Sequence, residues 1–266
     1  MKMIKTFTSS SFSMDYIKFG KGTKPLIVLP GISLFPVISS YENLQRLFSR
    51  FCDDHTVYVF ERRNNLTKGF SVEDMTDDMA VVMEELNLYN SDIYGASQGG
   101  MIALILAAKY PHLVSSIVAA SSLYKNGVQS SYVFSMWLHL YNRQCFEELN
   151  RSMFTLIYSD EYFNKYRNVF EDMIKSGTDD EFLRLSVLIK ACLDFDATAF
   201  MGKINCPVLA IGSTADRVID GQSSKEIAEK TKNGSYYLYN NYSHAVYDEE
   251  PEFLTRVYEF YKNNMQ

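Results

Sequence analysis

The sequence predicts an α/β protein in which a mostly parallel sheet carries helices on both faces. Short apolar runs rich in β-branched and aromatic residues alternate with helical patterns along most of the 266-residue chain. Such alternation is typical of βαβ units, whose strands lie parallel to one another. One long segment breaks the alternation with a helical and unusually aromatic pattern. We therefore expect one sheet domain that carries a helical insertion.

Composition favours a globular protein that acts on small molecules. Hydrophobic residues make up 47% of the chain and charged residues 22%, as in ordinary globular domains. The net charge is -6 and the isoelectric point is near 5.3, which argues against a nucleic-acid footprint and against binding to an anionic membrane surface. The expected partner is a small-molecule substrate, and the sequence leaves the oligomeric state open.

Cysteine usage and the N-terminus lead us to expect a cytoplasmic protein. The four cysteines form no CxxC pair and do not cluster with the four histidines, so neither a disulfide framework nor a zinc site is predicted. The N-terminal residues lack the continuous apolar stretch of a signal peptide. No run of 18 apolar residues occurs that would span a bilayer.

Seven apolar runs predict strands. They are Tyr16–Phe19, Leu26–Leu29, Thr56–Phe60, Asp92–Tyr94, Ser116–Ala119, Val208–Ile211 and Tyr236–Tyr239. The stretch up to Leu29 has strand signals without an intervening helix. We therefore expect an antiparallel hairpin at the first edge of the sheet.

Helical patterns lie between these runs. Apolar residues from Leu44 to Phe51 follow the spacing i, i+3, i+4, i+7, and a Ser71-x-x-Asp74 signal starts a second helix. From residue 121 to residue 190 the pattern is helical and aromatic. An insertion after a strand's C-terminal end lies over the crevice where α/β proteins bind ligands. We predict a core of residues 1–120 and 191–266 and a helical cap of residues 121–190.

The segment Gly95–Gly99 has the pattern G-x-S-x-G and places Ser97 between a predicted strand and an apolar helix. A serine on such a sharp turn is exposed above the sheet, and small residues on either side let the helix pass close to the strand. The alternative is a glycine-rich turn whose serine only caps the helix. The strand-and-helix context favours a nucleophile.

A serine nucleophile needs a histidine base. Of the four histidines, His55 precedes a strand and His112 lies at a helix end, so both belong to the wrong edge of the sheet. His139 lies in the aromatic insertion, where it could line a pocket. His244 follows the last predicted strand and therefore shares the edge of Ser97, which makes it the predicted base.

The predicted acid is Asp216, which follows the run ending at Ile211 and lies between Ser97 and His244 in the sequence. Asp220, Asp194 and Asp196 are the alternative acids. The alternative interpretation of Asp216 itself is a solvated turn aspartate without a catalytic role. The chain order Ser, Asp, His is typical of α/β-hydrolases.

An acyl-transfer serine also needs backbone donors for the oxyanion. One is the amide of Gln98 at the start of the helix. The second donor is expected in the loop that begins with Pro30-Gly31, and the amide of Ile32 is the candidate.

These motifs make the chain resemble the α/β-hydrolase superfamily, in its single-domain branch with a helical cap. The resemblance runs through LPGIS, GASQGG, the KYP that follows, CPVLAIGSTAD and YSHAVYDEEP, and covers essentially the whole chain. It implies a mostly parallel eight-stranded sheet with the cap inserted after the sixth strand. It also implies that Ser97 is the nucleophile, Asp216 the acid and His244 the base, with Ile32 and Gln98 supplying the oxyanion amides.

The chain departs from that family at two places. Pro30-Gly31 stands where many relatives have His-Gly, and Glu61–Asn65 differs from the usual Asp-x-Arg-Gly-x-Gly, which predicts a reshaped loop near the pocket.

The predicted function is hydrolysis of a carboxylic ester or related acyl bond of a largely apolar substrate, without a cofactor or metal. The alternatives are C–C or thioester hydrolysis, a lyase step or perhydrolysis on the same triad, a ligand receptor with little turnover, and an interaction protein of similar fold.

Overall fold

A computed structural model describes residues 4–265, in which eight strands form one sheet. The strands are β1 Ile4–Thr8, β2 Ser13–Gly20, β3 Lys24–Leu29, β4 His55–Arg63, β5 Ser91–Ala96, β6 Val114–Ala120, β7 Val208–Ser213 and β8 Gly234–Tyr239. Their spatial order is β1-β2-β4-β3-β5-β6-β7-β8. The first two strands form an antiparallel hairpin and β2 pairs antiparallel with β4, whereas all later pairings are parallel. The predicted eight-stranded, mostly parallel sheet with its edge hairpin is confirmed.

Twelve α-helices accompany this sheet within residues 4–265. They are α1 Tyr41–Leu47, α2 Val72–Glu85, α3 Gln98–Lys109, α4 Val128–Asn142, α5 Phe146–Ile157, α6 Asp160–Lys165, α7 Arg167–Ile174, α8 Asp179–Leu193, α9 Thr198–Met201, α10 Ser223–Lys230, α11 Val246–Glu249 and α12 Phe253–Asn264. In this part of the chain no helix combines the length and the apolar character that crossing a bilayer requires.

The sheet is covered on both faces because each face has its own apolar cluster. Side chains of α2, α3 and α10 pack on one face, as Met79, Ile102 and Ile227 show. The other face buries Leu44 of α1 and Tyr261 of α12. Strands that are buried on both faces need apolar residues at nearly every position, which explains the continuous runs in the sequence.

Two predicted helix features have different outcomes. The capping box of α2 is present, since Ser71 Oγ accepts from the amide of Asp74 while the Asp74 carboxylate accepts from the amide of Ser71. The predicted continuous helix from Leu44 to Phe51 is wrong in its second half, where α1 ends and Ser49–Phe51 forms a 3₁₀ turn. Phe48 and Phe51 are nevertheless buried. The apolar spacing therefore predicted which residues are buried but not the type of helix.

Helices α4 to α8 occupy the chain between β6 and β7, where the sequence predicts an insertion. Part of its aromatic content forms a small apolar core of its own. Phe163, Phe170 and Ile174 are buried together, and Phe154 and Tyr158 pack against them. These rings therefore stabilise the helices of the insertion by packing against one another.

Candidate active site

Ser97 lies on a sharp turn between β5 and α3. Its backbone has φ 51° and ψ -116°, a conformation that costs energy for a residue with a side chain. The turn is held by the Ser97 amide, which donates to the carbonyl of Ala120 at 2.8 Å. A Cβ at position 95 would lie 2.4 Å from the carbonyl oxygen of Gly99, and one at position 99 would lie 1.9 Å from that of Leu29. The turn predicted from the sequence is present, and both glycines are required by close backbone contacts.

His244 joins Ser97 to Asp216 in an unbroken chain of hydrogen-bonding distances. The imidazole Nε2 lies 3.0 Å from Ser97 Oγ, and Nδ1 lies 2.8 Å from Asp216 Oδ2. The three side chains come from loops that follow β5, β7 and β8 at the same edge of the sheet. The exposed fractions of Ser97, Asp216 and His244 are 8%, 7% and 3%, so water is largely excluded from the contacts.

The carboxylate of Asp216 is held in one orientation by its own loop. Its Oδ1 accepts from the amides of Val218 at 2.8 Å and Ile219 at 3.0 Å. Its backbone carbonyl accepts from the side chain of Gln129 in α4 at 2.9 Å. Because Oδ1 is occupied twice, Oδ2 is the oxygen that faces His244.

The three alternative acids take no part in this site. Asp220 and Asp196 each accept from a backbone amide two residues further along the chain, as turn aspartates do. Asp194 is exposed and forms an ion pair with Lys190 one helical turn earlier. Each has a local role away from His244.

The remaining histidines lie elsewhere. His55 is buried at the opposite edge of the sheet, where its Nε2 is 3.0 Å from Asp92, which also accepts from Ser116. His112 is exposed at the end of α3. His139 is exposed on α4 and does not line the cavity at Ser97, so the pocket role left open for it is not observed.

Two backbone amides beside Ser97 are free to donate. The amide of Gln98 begins α3, and neither it nor the amide of Ile32 donates a hydrogen bond to any residue between 4 and 265. Gly31 and Ile32 line a cavity of about 20 Å³ together with Ser97 and His244. The positive end of the α3 dipole points toward the same place. This arrangement provides donors for a negatively charged oxygen.

Arg62 is a residue of the site that sequence reasoning missed. It is buried at the end of β4, where its guanidinium donates to the carbonyl of Pro30 at 2.7 Å and to Gln98 Oε1 at 3.3 Å. Burial lowers the pKa of this guanidinium to about 10, so it remains a cation at neutral pH. Arg62 thus connects the loop that carries the Ile32 amide to the residue that carries the other free amide. Its position directly after a buried strand at the edge of Ser97 was the available signal.

The neighbouring Glu61 supports the same loop. One of its carboxylate oxygens accepts from the amide of Ile38 at 3.1 Å, and the other lies 3.2 Å from the guanidinium of Arg184 in α8. The segment that departs from the family pattern therefore holds the loop after β3 and contacts the insertion. Whether this segment reshapes the loop relative to other family members stays a prediction.

The insertion is also bonded to the loop that carries His244. Ser243 Oγ donates to the carbonyl of Leu156 at 2.6 Å, and the amide of Ala245 donates to the carbonyl of Ile157 at 2.8 Å. Arg217, which follows Asp216, donates to the carbonyl of Tyr158, the residue after Ile157. The C-terminal end of α5 and the histidine loop therefore form one bonded unit.

A larger cavity of about 270 Å³ lies beside the small one at Ser97. The two share Gly31, Ile32, Ile157 and Tyr247. We call the larger cavity the recess; it is bounded mainly by apolar and aromatic side chains, among them Phe35, Phe48, Tyr94, Phe154, Tyr158 and Tyr247. Small-molecule sites commonly combine such walls with a few polar groups.

Comparisons with known proteins agree with this geometry. A family model described as alpha/beta hydrolase fold matches residues 24–251. A protein named "Putative carbamate hydrolase RutD" from Stutzerimonas stutzeri (strain A1501) is 24% identical over 208 residues, which cover 74% of this chain and 78% of that protein.

Solved structures share the fold over almost the whole chain. The alpha/beta hydrolase enzyme MGS-M2 from a Medee basin deep-sea metagenome library matches with a TM-score of 0.86 at 19% identity, covering 98% of each chain. The enol-lactonase from Burkholderia xenovorans LB400 matches with a TM-score of 0.83 at 16% identity, covering 97% of this chain and 100% of that one. Because the family model spans most of the sequence, the chain belongs to the α/β-hydrolase family and is a hydrolase.

Proposed function

We propose that this enzyme cleaves a carboxylic ester or related acyl bond of a small, largely apolar molecule through an acyl-enzyme intermediate. The observation that carries the proposal is the continuous contact from Ser97 Oγ through His244 to Asp216. A serine hydroxyl is a weak nucleophile until an adjacent base accepts its proton, and the carboxylate holds that base in the required tautomer.

Each step of the reaction has a group in place. His244 Nε2 accepts the proton of Ser97 Oγ while the oxygen attacks the carbonyl carbon, and the resulting imidazolium then donates that proton to the leaving group. The amides of Ile32 and Gln98 donate to the oxygen that becomes negative in the tetrahedral intermediate. Water then attacks the acyl-enzyme in the same way, His244 accepts its proton, and Ser97 is regenerated.

The names of similar proteins support acyl-bond cleavage. They include a carbamate hydrolase, an esterase and an enol-lactonase. In each of these reactions a nucleophile attacks a carbonyl carbon that carries a heteroatom leaving group. The free amides beside Ser97 suit that shared chemistry.

The insertion of residues 121–190 is proposed to act as a cap that determines which substrates fit, over a core of residues 1–120 and 191–266. Three of its side chains, those of Phe134, Trp137 and Ile157, line the cavity at Ser97. Gln98 Nε2 also donates to the carbonyl of Leu188 in α8 at 3.0 Å, which bonds the insertion to the first residue after the nucleophile.

The test combines Ser97→Ala with short p-nitrophenyl esters. We expect kcat to fall at least about a thousandfold while the circular dichroism spectrum and melting temperature change little, because one hydroxyl at a turn is removed. A fluorophosphonate probe should label the wild type once, at Ser97.

Ser115→Ala is the matched control, since Ser115 is half-buried at the opposite edge of the sheet and accepts from Lys24. Full activity of Ser97→Ala, or labelling at another serine, would refute the assignment. A stoichiometric burst without steady-state turnover would instead identify a ligand receptor.

A further inference from the structure

One carboxylate faces the otherwise apolar recess. Asp248 lies in α11, four residues after His244, and its Oδ2 accepts from the hydroxyl of Tyr158 at 3.1 Å. Its other oxygen has no hydrogen-bond partner, and no Lys, Arg or His forms an ion pair with it, within residues 4–265. This oxygen can therefore accept a hydrogen bond from a ligand in the recess.

Asp248 is exposed to solvent, and its side chain borders the recess. The protein atoms packed beside its carboxyl group displace water and raise the pKa of that group to about 6, and the nearby Glu249 adds to the rise, whereas the Tyr158 hydroxyl opposes it. The group is therefore mostly ionised at neutral pH and has no counter-ion from the protein.

The walls around Asp248 offer acceptors and aromatic faces. The hydroxyls of Tyr94 and Tyr247, which also line the recess, form no hydrogen bond with the described residues. The rings of Phe154 and Tyr158 bound the same space. Aromatic faces attract cations as carboxylates do. No basic side chain lines the recess in the part of the chain that the structure describes, and Asp248 is the charged residue of its lining.

We infer that the recess binds a protonated amine of the substrate, with Asp248 as the residue that selects it. The inference rests on the proposed function, because the recess lies beside the cavity at Ser97 and shares four lining residues with it. The ammonium group would donate to the free oxygen of Asp248, and its remaining N–H groups face the hydroxyls of Tyr94 and Tyr247. The substrate is then an ester or related acyl compound that carries an amine several bonds from the carbonyl.

A purely structural role for Asp248 makes a different prediction. Among residues 4–265, the hydrogen bond accepted from Tyr158 is the one that its side chain forms, and an asparagine side-chain oxygen accepts that bond equally well. If positioning Tyr158 were its whole purpose, Asp248→Asn would leave ligand preference unchanged. The charge matters only if a cation binds beside it.

Binding without turnover is the first measurement. Titration calorimetry at pH 8 compares hexylammonium with neutral hexanol on the wild type, on Asp248→Asn and on Asp172→Asn. Asp172 is an exposed carboxylate of α7, so its variant carries the same change in net charge away from the recess. We expect Asp248→Asn to weaken hexylammonium binding about tenfold or more and to leave hexanol unchanged, with Asp172→Asn behaving as the wild type.

Turnover is the second measurement, with p-nitrophenyl 6-aminohexanoate and p-nitrophenyl heptanoate as a matched charged and neutral pair. A second pair, 6-aminohexyl acetate and heptyl acetate, places the amine in the alcohol portion. In at least one pair, the charged-to-neutral ratio of kcat/KM should fall about tenfold in Asp248→Asn. Asp248→Ser repeats the comparison if the asparagine variant does not fold.

The inference is overturned if hexylammonium does not bind the wild type, or if Asp248→Asn changes neither its affinity nor either ratio. Failure of the proposed function looks different, because hexylammonium would still bind in a charge-dependent way while no ester is turned over.

Discussion

Asp216→Asn tests the geometry of the site most directly, because asparagine keeps the size of the side chain and changes only its charge and one donor. In the native site Oδ1 accepts from the amides of Val218 and Ile219, and Oδ2 accepts from Nδ1 of His244. Asparagine has one accepting oxygen and one donating NH₂ group. If its oxygen stays on the two amides, the NH₂ group faces Nδ1. His244 must then carry its proton on Nε2, where it can no longer accept the proton of Ser97.

The opposite orientation restores the correct tautomer but costs hydrogen bonds. It points the NH₂ group at two buried backbone N–H groups and leaves both unsatisfied. At about 1 to 3 kcal/mol for each unsatisfied group, the inactive orientation is favoured by about 2 to 6 kcal/mol, or at least about thirtyfold. The variant also loses the negative charge that stabilises the imidazolium. Together these effects should lower kcat about ten-thousandfold, as in other triads.

The assay is steady-state hydrolysis of a short p-nitrophenyl ester, with the rate of fluorophosphonate labelling as a second readout. Asp220→Asn, Asp194→Asn and Asp196→Asn are the matched controls and should each stay within a few-fold of the wild type. The reasoning is refuted if Asp216→Asn retains a tenth of wild-type activity, or if one of the controls loses activity instead.

Two further predictions concern residues that the structure brought into view. Arg62→Met should lower kcat about tenfold to a hundredfold with a smaller change in KM, because the loop carrying the Ile32 amide loses its hydrogen-bonded connection to Gln98. The control is Arg63→Met, which breaks an ion pair with Asp78 outside the site. Equal kcat in the two variants would contradict the role assigned to Arg62. Asp248→Asn should raise the melting temperature relative to the wild type by an amount that grows from about pH 4 to about pH 6 and then levels off. The reason is that the folded pKa of about 6 exceeds the ordinary aspartate value of 3.8, so wild-type stability falls as pH rises through that window. A difference in melting temperature between the two proteins that stays constant over this range would show that folding does not raise the pKa of this carboxyl group.

The sheet and the positions of Ser97, Asp216 and His244 were predictable because their sequence signals are local. The nucleophile turn needs glycines at fixed offsets from Ser97, and backbone contacts at positions 95 and 99 enforce them. Asp216 and His244 each follow a strand, and parallel strands deliver such residues to one edge. Sequence order and strand direction therefore sufficed to bring the three together.

Arg62 and Asp248 could not be assigned in this way because their roles depend on packing between distant segments. Arg62 contacts residues 32 and 36 positions away, and its place at the end of a strand does not show which residues those are. Asp248 is an exposed residue of a short helix, and only the folded chain shows that it borders the same recess as Tyr158 and the loop after β3. The 3₁₀ turn at Ser49–Phe51 illustrates the same limit, since burial keeps the apolar spacing while tertiary contacts decide the helix type.

The bonds between segment 156–158 and the histidine loop bear on how this enzyme could be re-engineered. Replacing the insertion by one from another hydrolase would remove the acceptors of Ser243, Ala245 and Arg217. The loop that holds the base would then lose part of its support even though none of its own residues had changed. A successful graft must therefore transfer residues 156–158 and the loop from Ser243 to Ala245 as a pair, and leave Phe134 and Trp137 of α4, which line the cavity at Ser97, to be varied.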